Sequence, residues 1–340
     1  MRKENRPNIN NAIATEAPSD SARKVIKKAS LGHLFISLGL PLFIVLLAIV
    51  FAIIEPRFAS TDNLKNVARQ MASDLAIMAS AQIFAILIGG IDVSIGSIVG
   101  GSSVITAYAL QNMGLAGMVT GVLFGILIGL LNGVIIARFQ VAPFVATLGM
   151  LTAVRGWALT FTGGEPIFRD IPRSFMFLGI GYVGPVPIPV ILAVVVLVAV
   201  SLVLKYTRLG RYIYAIGGNE EASRLSGINV TRYKIFAYMI CGGLAGLTGV
   251  VLSSQINSGA PNLGELMELD AIAAVVIGGV ALGGGRGNMI GVVMGVILLG
   301  ILRNGLNLAN VSPYTQLMVI GVVVILGVIV DKLRYRGEGR

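Results

Sequence analysis

Residues 34–54, LFISLGLPLFIVLLAIVFAII, form a run of 21 residues without a charged side chain. As an α-helix, a run of this length crosses the ~30 Å apolar core of a bilayer. It is longer than the apolar core of a secretory signal peptide, about 7–15 residues. The run therefore predicts a first membrane span that is retained in the mature protein.

The composition of the whole chain agrees with a membrane location. Hydrophobic residues make up 55% of the 340 residues and charged residues 12%, and the mean hydropathy is +0.86. Soluble chains average roughly 25% charged residues, so this chain has too few charges to cover a water-facing surface. The composition excludes soluble, disordered and disulfide-rich classes and predicts an all-α polytopic membrane protein.

Nine further apolar runs follow the first one. A run of about 20 apolar residues is long enough to span a bilayer as a helix. We therefore predict about ten transmembrane helices, at residues 34–54, 67–89, 95–111, 115–137, 143–162, 186–204, 233–255, 269–283, 289–303 and 314–330.

The basic residues predict the orientation of these spans. With ten spans, 19 of the 26 Lys and Arg residues lie on the same side as both termini, and segments rich in Lys and Arg stay in the cytoplasm. We expect a basic, disordered cytoplasmic tail at residues 1–33 and a transmembrane domain at 34–331. This domain includes a cytoplasmic loop at 205–234, and a short cytoplasmic tail follows at 332–340.

Few side chains are available for catalysis or for binding a metal. The chain has one cysteine, Cys241, and one histidine, His33. It can form no internal disulfide, no histidine cluster and no nucleophile–histidine set beyond what His33 supplies. No lysine follows a glycine, which excludes the Gly-x-x-x-x-Gly-Lys-Ser/Thr loop that binds ATP phosphates. We expect this chain to be no enzyme and to bind no metal or cofactor itself.

Polar side chains recur at four-residue spacing along the predicted second span. They are Asn66, Gln70, Asp74 and Gln82, with Met78 between the last two. Residues four apart share a helix face, and a carboxylate or amide is costly against lipid. Two interpretations remain open for this face: hydrogen bonding between helices, or the lining of a path for a polar solute.

The predicted fifth span contains Arg155, which needs the same protection from lipid. Trp157, close by, is either an interfacial belt residue or a surface on which a sugar ring stacks. The candidate pathway residues are therefore Gln70, Asp74, Gln82, Arg155 and Trp157.

Two glycine patterns stand out. Gly117, Gly121, Gly125, Gly129 and Gly133 lie four residues apart on the predicted fourth span. Such a stripe lets a neighbouring backbone approach closely, either within one subunit or between two. The second pattern, at residues 89–96, combines Gly89 and Gly90 with Asp92 and Ser94 just before an apolar run. It predicts a broken helix that restarts with a cap, covered by protein or water.

The predicted cytoplasmic loop contains a short helix at residues 220–226. Asn219 is a typical N-cap, Glu220 and Glu221 occupy the first turn, Arg224 the last, and Gly227 the C-terminal stop. Glu220 and Arg224 are spaced for an ion pair. Because a helix this short is unstable alone, it is expected to dock, either on the protein's own surface or on a partner.

Several segments together resemble the permease subunits of ribose-type sugar ABC importers. The resemblance runs from about residue 60 to the C-terminus. It rests on GGIDVSIG (89–96), PFVATLG (143–149), RG (155–156) with TGGEP (162–166), LGRY (209–212), GGNE (217–220), RLSGINV (224–230), ELDAIAA (268–274) and NGLN (304–307).

The resemblance implies a homodimer in the bacterial inner membrane that imports a monosaccharide. Its partners are a sugar-type ABC ATPase, which binds ATP and magnesium, a periplasmic sugar-binding protein and membrane lipid, but no nucleic acid. It assigns Asn219, Glu220, Glu221, Arg224 and Gly227 to coupling with the ATPase. The sequence leaves the sugar itself open.

One alternative belongs to another class. An ion-coupled secondary transporter of a small polar solute could use Asp74, the carboxylate that lies well inside a predicted span, as its ion site. The short docking helix argues for the importer, since a self-sufficient carrier does not need one.

Overall fold

The computed structural model describes residues 39–338. The chain forms two units, residues 1–46 and 47–340. In the first unit, the described part is the beginning of helix α1, and the other elements belong to the second unit. The predicted tail at residues 1–33 lies outside the described residues.

Helices make up most of the described chain, and each of the ten predicted runs contains one. The long helices are α1 (Gly39–Ile54), α4 (Ile95–Met113), α5 (Met118–Arg138), α6 (Pro143–Thr162), α8 (Ile188–Tyr206), α11 (Val230–Ile256), α13 (Met289–Leu308) and α14 (Pro313–Glu338). The shorter helices are α2 (Thr61–Gln70), α3 (Ile77–Leu87), α7 (Met176–Ile180), α9 (Arg208–Gly218), α10 (Glu220–Leu225) and α12 (Met267–Ile277).

Several helix boundaries differ from the sequence prediction, among them the C-terminal ends of two predicted spans. The predicted span at 269–283 is helical only to Ile277, because Gly278 ends α12 and Gly279 has φ +80°. The predicted tail at 332–340 begins inside α14, which continues to Glu338. A small antiparallel hairpin, β1 (Tyr182–Val183) and β2 (Val186–Pro187), precedes α8.

Six helical segments of the described chain are long and apolar enough to cross a membrane. They are Thr61–Leu87, Ile95–Arg138, Pro143–Thr162, Ile188–Tyr206, Val230–Ile256 and Met289–Leu308. The second of them is 44 residues long and holds α4 and α5, which a 3₁₀ turn at Gly114–Gly117 separates. The fold is that of a polytopic helical membrane protein.

Helix α11 packs against α3, α4 and α5, and its most extensive contact is with α5. A Cβ on Gly125 would overlap the carbonyl oxygen of Gly242, and a Cβ on Gly242 would overlap the carbonyl oxygen of Gly125. A Cβ on Gly129 would overlap the Tyr238 carbonyl oxygen in the same way. The glycine stripe of α5 therefore packs within the chain, the first of the two interpretations left open by the sequence.

This contact makes Gly125 intolerant of any side chain. We expect Gly125→Val to lower the free energy of unfolding by about 3 kcal/mol, because the added atoms force two helix backbones apart. The measurement is the thermal midpoint of the detergent-solubilised protein. Gly156→Val on α6 is the matched control, since a Cβ there meets no atom within 4 Å. Equal losses in both variants would contradict the close packing.

Candidate transport pathway and coupling site

The polar side chains of the second span do not share one face in the folded chain. A π-helical turn at Met71–Ala76 joins α2 to α3, and such a turn shifts the register of the helix beyond it. Gln70 is exposed, Asp74 is half-buried and Gln82 is fully buried. Asp74 lies on the π-turn itself, where its carboxylate accepts a 2.7 Å hydrogen bond from the Ser73 hydroxyl.

Asp74 and Gln70 line a small cavity of about 20 Å³ together with Arg303 of α13. This volume is the size of one water molecule. Arg303 forms an ion pair with Asp270 of α12, whose side chain is 9% exposed. The π-turn, α12 and α13 thus bring two carboxylates and one guanidinium together inside the helical bundle.

Sequence reasoning did not assign Arg303 and Asp270 to any site. The available signal was that two opposite charges lie in neighbouring apolar helices, where an unpaired charge is costly. Pairing them required knowledge of which helix faces meet. Gly295 of α13 provides that meeting, because a Cβ there would overlap the carbonyl oxygen of Ala274 on α12.

The break between α3 and α4 is held by a network of buried polar groups. The Gln82 amide donates to the Asp92 carbonyl at 3.0 Å and accepts from the Asp92 N–H at 3.2 Å. The Asp92 carboxylate accepts from the N–H and the hydroxyl of Ser94 at 2.9 and 2.6 Å, and Asn132 donates to that hydroxyl. Gly89, with φ +88°, makes the turn. The Gln82 amide is therefore hydrogen-bonded to the backbone of the break, as in the first of the two interpretations of this polar face.

Arg155 fastens a loop to α4. Its guanidinium donates to the carbonyls of Pro261 and Leu263 at 2.6 and 3.1 Å, and to that of Gly96 at 3.4 Å. The loop between α11 and α12 is thereby held at the depth of the first turn of α4. These three carbonyl groups are the partners that satisfy the Arg155 guanidinium inside the protein.

Trp157 lies close to this clamp on α6, in a row of aromatic rings. It stacks on Phe124 at 5.2 Å and on Phe161 at 5.4 Å between ring centroids, and it is 37% exposed. One part of the indole therefore stays accessible. Both sequence interpretations of Trp157 remain compatible with this placement.

The short helix α10 has the caps predicted for it. The Asn219 side chain accepts from the Ala222 N–H at 2.9 Å, and Glu220 pairs with Arg224 at 3.1 Å. Gly227, with φ +82°, follows the helix. The helix ends at Leu225 instead of Ser226, which is the C-cap.

Glu220 also joins α10 to the long helix α11. Its second carboxylate oxygen lies 2.6 Å from the ammonium nitrogen of Lys234, in the first turns of α11. No local pattern in the sequence singles out Lys234, since the two residues are 14 positions apart. Leu225 at the tip of α10 is 81% exposed, so the helix presents an apolar side chain to its surroundings while its base is fixed.

The charges around Glu220 outweigh the effect of its burial. Burial alone raises the pKa of this carboxyl, but the hydrogen bonds and charges of Lys234 and Arg224 hold its pKa below the ordinary value. The carboxylate is therefore ionised at neutral pH, and both ion pairs are formed.

A cavity of about 230 Å³ connects the base of α10 with the break between α3 and α4. Its lining includes Gly89 and Gly90 of the break, Tyr238 and Lys234 of α11, and Glu220. The base of α10 and the broken helix therefore border the same cavity. Within the described residues, no group of three or more His, Cys, Asp or Glu side chains is arranged to hold a metal ion.

Comparison with known proteins decides the family. A family model described as "Branched-chain amino acid transport system / permease component" matches residues 64–328. The chain belongs to this family. It is a multi-pass protein of the bacterial inner membrane.

Three relatives show how far the similarity extends. The ribose import permease protein RbsC of Bacillus subtilis (strain 168) is 42% identical over 298 residues, 87% of this chain and 92% of the relative. RbsC of Escherichia coli (strain K12) is 41% identical over 293 residues, 85% and 91% of the two chains. The L-arabinose transport system permease protein AraH of Escherichia coli (strain K12) is 34% identical over 311 residues, 91% and 94%. No solved structure matches this chain.

These permease relatives do not favour the ion-coupled carrier. They are permeases of import and transport systems by name, and the family is one of permease components. Asp74 lies beside Arg303 in the small cavity at the π-turn.

The ion pair between Arg303 and Asp270 yields a stability prediction. Arg303→Met leaves the Asp270 carboxylate without its partner, and we expect a loss of about 3 kcal/mol in the free energy of unfolding. The double variant Arg303→Met/Asp270→Leu should recover most of this loss, since no unpaired charge remains. Thermal midpoints in detergent test both. Arg57→Met, which breaks the exposed pair with Glu55, is the control and should leave the thermal midpoint nearly unchanged, because exposed ion pairs contribute little to stability. A double variant no more stable than the single one would contradict the pairing.

The lowered pKa of Glu220 predicts how the docking of α10 depends on pH. Because the folded pKa is below the unfolded one, the ion pairs stabilise α10 fully at neutral pH, and this contribution is lost as the pH falls through the lowered value. Hydrogen exchange of the α10 amides, corrected for the intrinsic pH dependence, measures it. Glu220→Gln should abolish the pH dependence. Glu221→Gln should retain it, since Glu221 has no ion pair with a described residue. A pH profile unchanged in Glu220→Gln would refute this assignment.

Proposed function

We propose that this chain is the transmembrane subunit of an ATP-driven importer of a monosaccharide, of pentose or hexose type. Two of its relatives are named for ribose import and one for L-arabinose transport, at 34–42% identity over most of both chains. The family description names branched-chain amino acids, but the similarity to the sugar permeases covers nearly the full length of the relatives. Ribose-like sugars are therefore the substrates to test first.

The proposed assembly contains two copies of this chain. A sugar-type ATPase that binds ATP and magnesium lies on the cytoplasmic side, and a periplasmic sugar-binding protein delivers the substrate. We place ten spans in the membrane with both termini in the cytoplasm, in keeping with the distribution of Lys and Arg. The chain itself then needs no cofactor, because ATP hydrolysis belongs to the partner.

The observation that carries this proposal is the construction of α10. Its N-cap, its ion pair with Arg224 and its ion pair with Lys234 fix the helix at one end, while Leu225 is 81% exposed at the other. A short helix with an exposed apolar tip and a braced base is suited to receive force from a partner. We assign Asn219, Glu220, Glu221, Arg224 and Gly227 to this coupling.

The route from α10 to the membrane runs through α11. Closure of the ATPase pair moves α10, and the Glu220–Lys234 pair passes that movement to α11. Because α11 packs on α3, and through glycine contacts on α4 and α5, it moves them as one body. The two copies then alternate between outward-open and inward-open states around a shared path.

We propose that Gln70, Asp74, Arg155 and Trp157 border this path. Gln70 and Asp74 offer an amide and a carboxylate to sugar hydroxyls, and Trp157 has an accessible face for a sugar ring. Arg155 positions the adjoining loop through its carbonyl contacts. Gln82 supports the path from behind, through the break at Asp92.

Co-purification tests the assembly and the role of α10 together. We expect the tagged chain to recover an ATPase at one copy per permease from gently solubilised membranes. Leu225→Asp should reduce this recovery at least tenfold, since a charge replaces the apolar contact.

The combined reversal Glu220→Arg/Arg224→Glu should abolish ribose uptake and the stimulation of ATP hydrolysis, because Lys234 then faces a like charge. Reversal of the exposed pair Glu55/Arg57 is the control. A chain that transports ribose alone in liposomes would overturn the proposal.

A further inference from the structure

A further cavity lies against α9. Its volume is about 610 Å³, and it is bounded by the end of α8, by α9 and by the start of α13. Its lining includes Leu204, Lys205, Arg211, Tyr214, Asn288 and Ile290. None of them belongs to the proposed path or to α10.

The polar wall of this cavity is cationic. Lys205 and Arg211 both line it, and no acidic side chain among the described residues does. Neither cation forms an ion pair with a described residue. The Lys205 ammonium lies 5.2 Å from the centre of the Tyr206 ring, and Arg211 donates to the Tyr206 carbonyl at 3.4 Å. Each cation therefore retains donors for an anion.

Neutral polar residues, among them Tyr214 and Asn288, also line the cavity. The Tyr214 hydroxyl donates to the Gly287 carbonyl at 2.9 Å, so its oxygen remains an acceptor for a ligand hydroxyl. The side-chain oxygen Oδ1 of Asn288 accepts from the Gly291 N–H at 2.8 Å, which leaves the side-chain nitrogen Nδ2 as a donor. The wall thus offers positive charge, a hydrogen-bond donor and a hydrogen-bond acceptor.

Apolar side chains, Leu204, Met289 and Ile290, also line the cavity. α8 and α13 are both long and apolar enough to span a bilayer, so the cavity lies where two spans leave the apolar layer. Ile290 is 72% exposed, and Leu202, one turn before Tyr206, is 51% exposed. A free anion would gain nothing from these side chains, whereas acyl chains cover them.

We propose that this cavity binds the headgroup of an anionic phospholipid of the phosphatidylglycerol class. Its phosphate contacts Lys205 and Arg211, its glycerol hydroxyls contact Tyr214 and Asn288, and its acyl chains lie along Leu202 and Ile290. Basic sites between spans bind anionic headgroups through this combination of charge and apolar contact. The proposal does not depend on the transport function.

The lipid would also bear on the coupling segment. α9 ends at Gly218, directly before Asn219, the N-cap of α10. A headgroup held between Lys205 of α8 and Arg211 of α9 fixes these two helices to each other. Bound lipid is therefore expected to raise the thermal midpoint of the whole chain.

Lipid binding to the full-length permease in detergent tests the proposal, with phosphatidylglycerol, phosphatidylcholine and inorganic phosphate as probes. Native mass spectrometry counts the lipids retained, and a titration gives the dissociation constant. We expect phosphatidylglycerol to bind and to raise the thermal midpoint, and the other two probes to do neither. Lys205→Gln/Arg211→Gln should weaken phosphatidylglycerol binding roughly 30-fold, the effect of two interfacial cations.

Two further variants keep the outcome decisive. Arg138→Gln, at the end of the apolar helix α5, is the matched control and should bind as the unchanged protein does. Lys205→Arg/Arg211→Lys, which conserves both charges, should retain binding and shows that loss in the glutamine variant is not misfolding. Equal binding by the glutamine variant and the control would overturn the proposal. Binding of inorganic phosphate with the same affinity as phosphatidylglycerol would also overturn it.

Discussion

Within a bilayer, no water is present to satisfy a backbone N–H or C=O, so each interruption of a helix must be closed by the protein itself. The break between α3 and α4 shows what this constraint requires. Gln82 pairs with both backbone groups of Asp92. The Thr147 hydroxyl of α6 accepts from the Val93 N–H. Side chains from several helices are therefore committed to one turn of irregular chain.

The same constraint explains two other features. Arg155 supplies donors to the carbonyls of the loop between α11 and α12, and the N–H of Gly285 donates to the Leu87 carbonyl at the end of α3. In each case, a polar group that looks costly in the sequence is the partner of backbone elsewhere. At the second of these contacts, a Cβ on Gly284 would lie 2.9 Å from the Cα of Gly89, so the lack of side chains lets the two backbones approach.

The sequence predicted those features that depend on neighbours along the chain. The limits of α10 to within one residue, its Asn219 cap and its Glu220–Arg224 pair follow from residues within eight positions. The π-turn at Met71–Ala76 could not be predicted, because it lies where α13 brings Gly300 against Met71. The pairs Glu220–Lys234 and Arg303–Asp270 were missed for the same reason, since each joins separate helices. For the glycine stripe, the sequence defined the groove but not the helix that fills it.

The polar groups that remain free support the proposed position of the path. A polar side chain that is fully used by backbone or by an ion pair has nothing left for a passing sugar, and Gln82 and Asp270 belong to that class. Among the described residues, the Gln70 amide has no hydrogen-bond partner, and Asp74 holds only the hydroxyl of Ser73. Both lie at the π-turn beside Arg303, and π-turns are frequent at functional sites. The unpaired polar groups of the second span are therefore concentrated at one level of the membrane, where a path between two copies would need them.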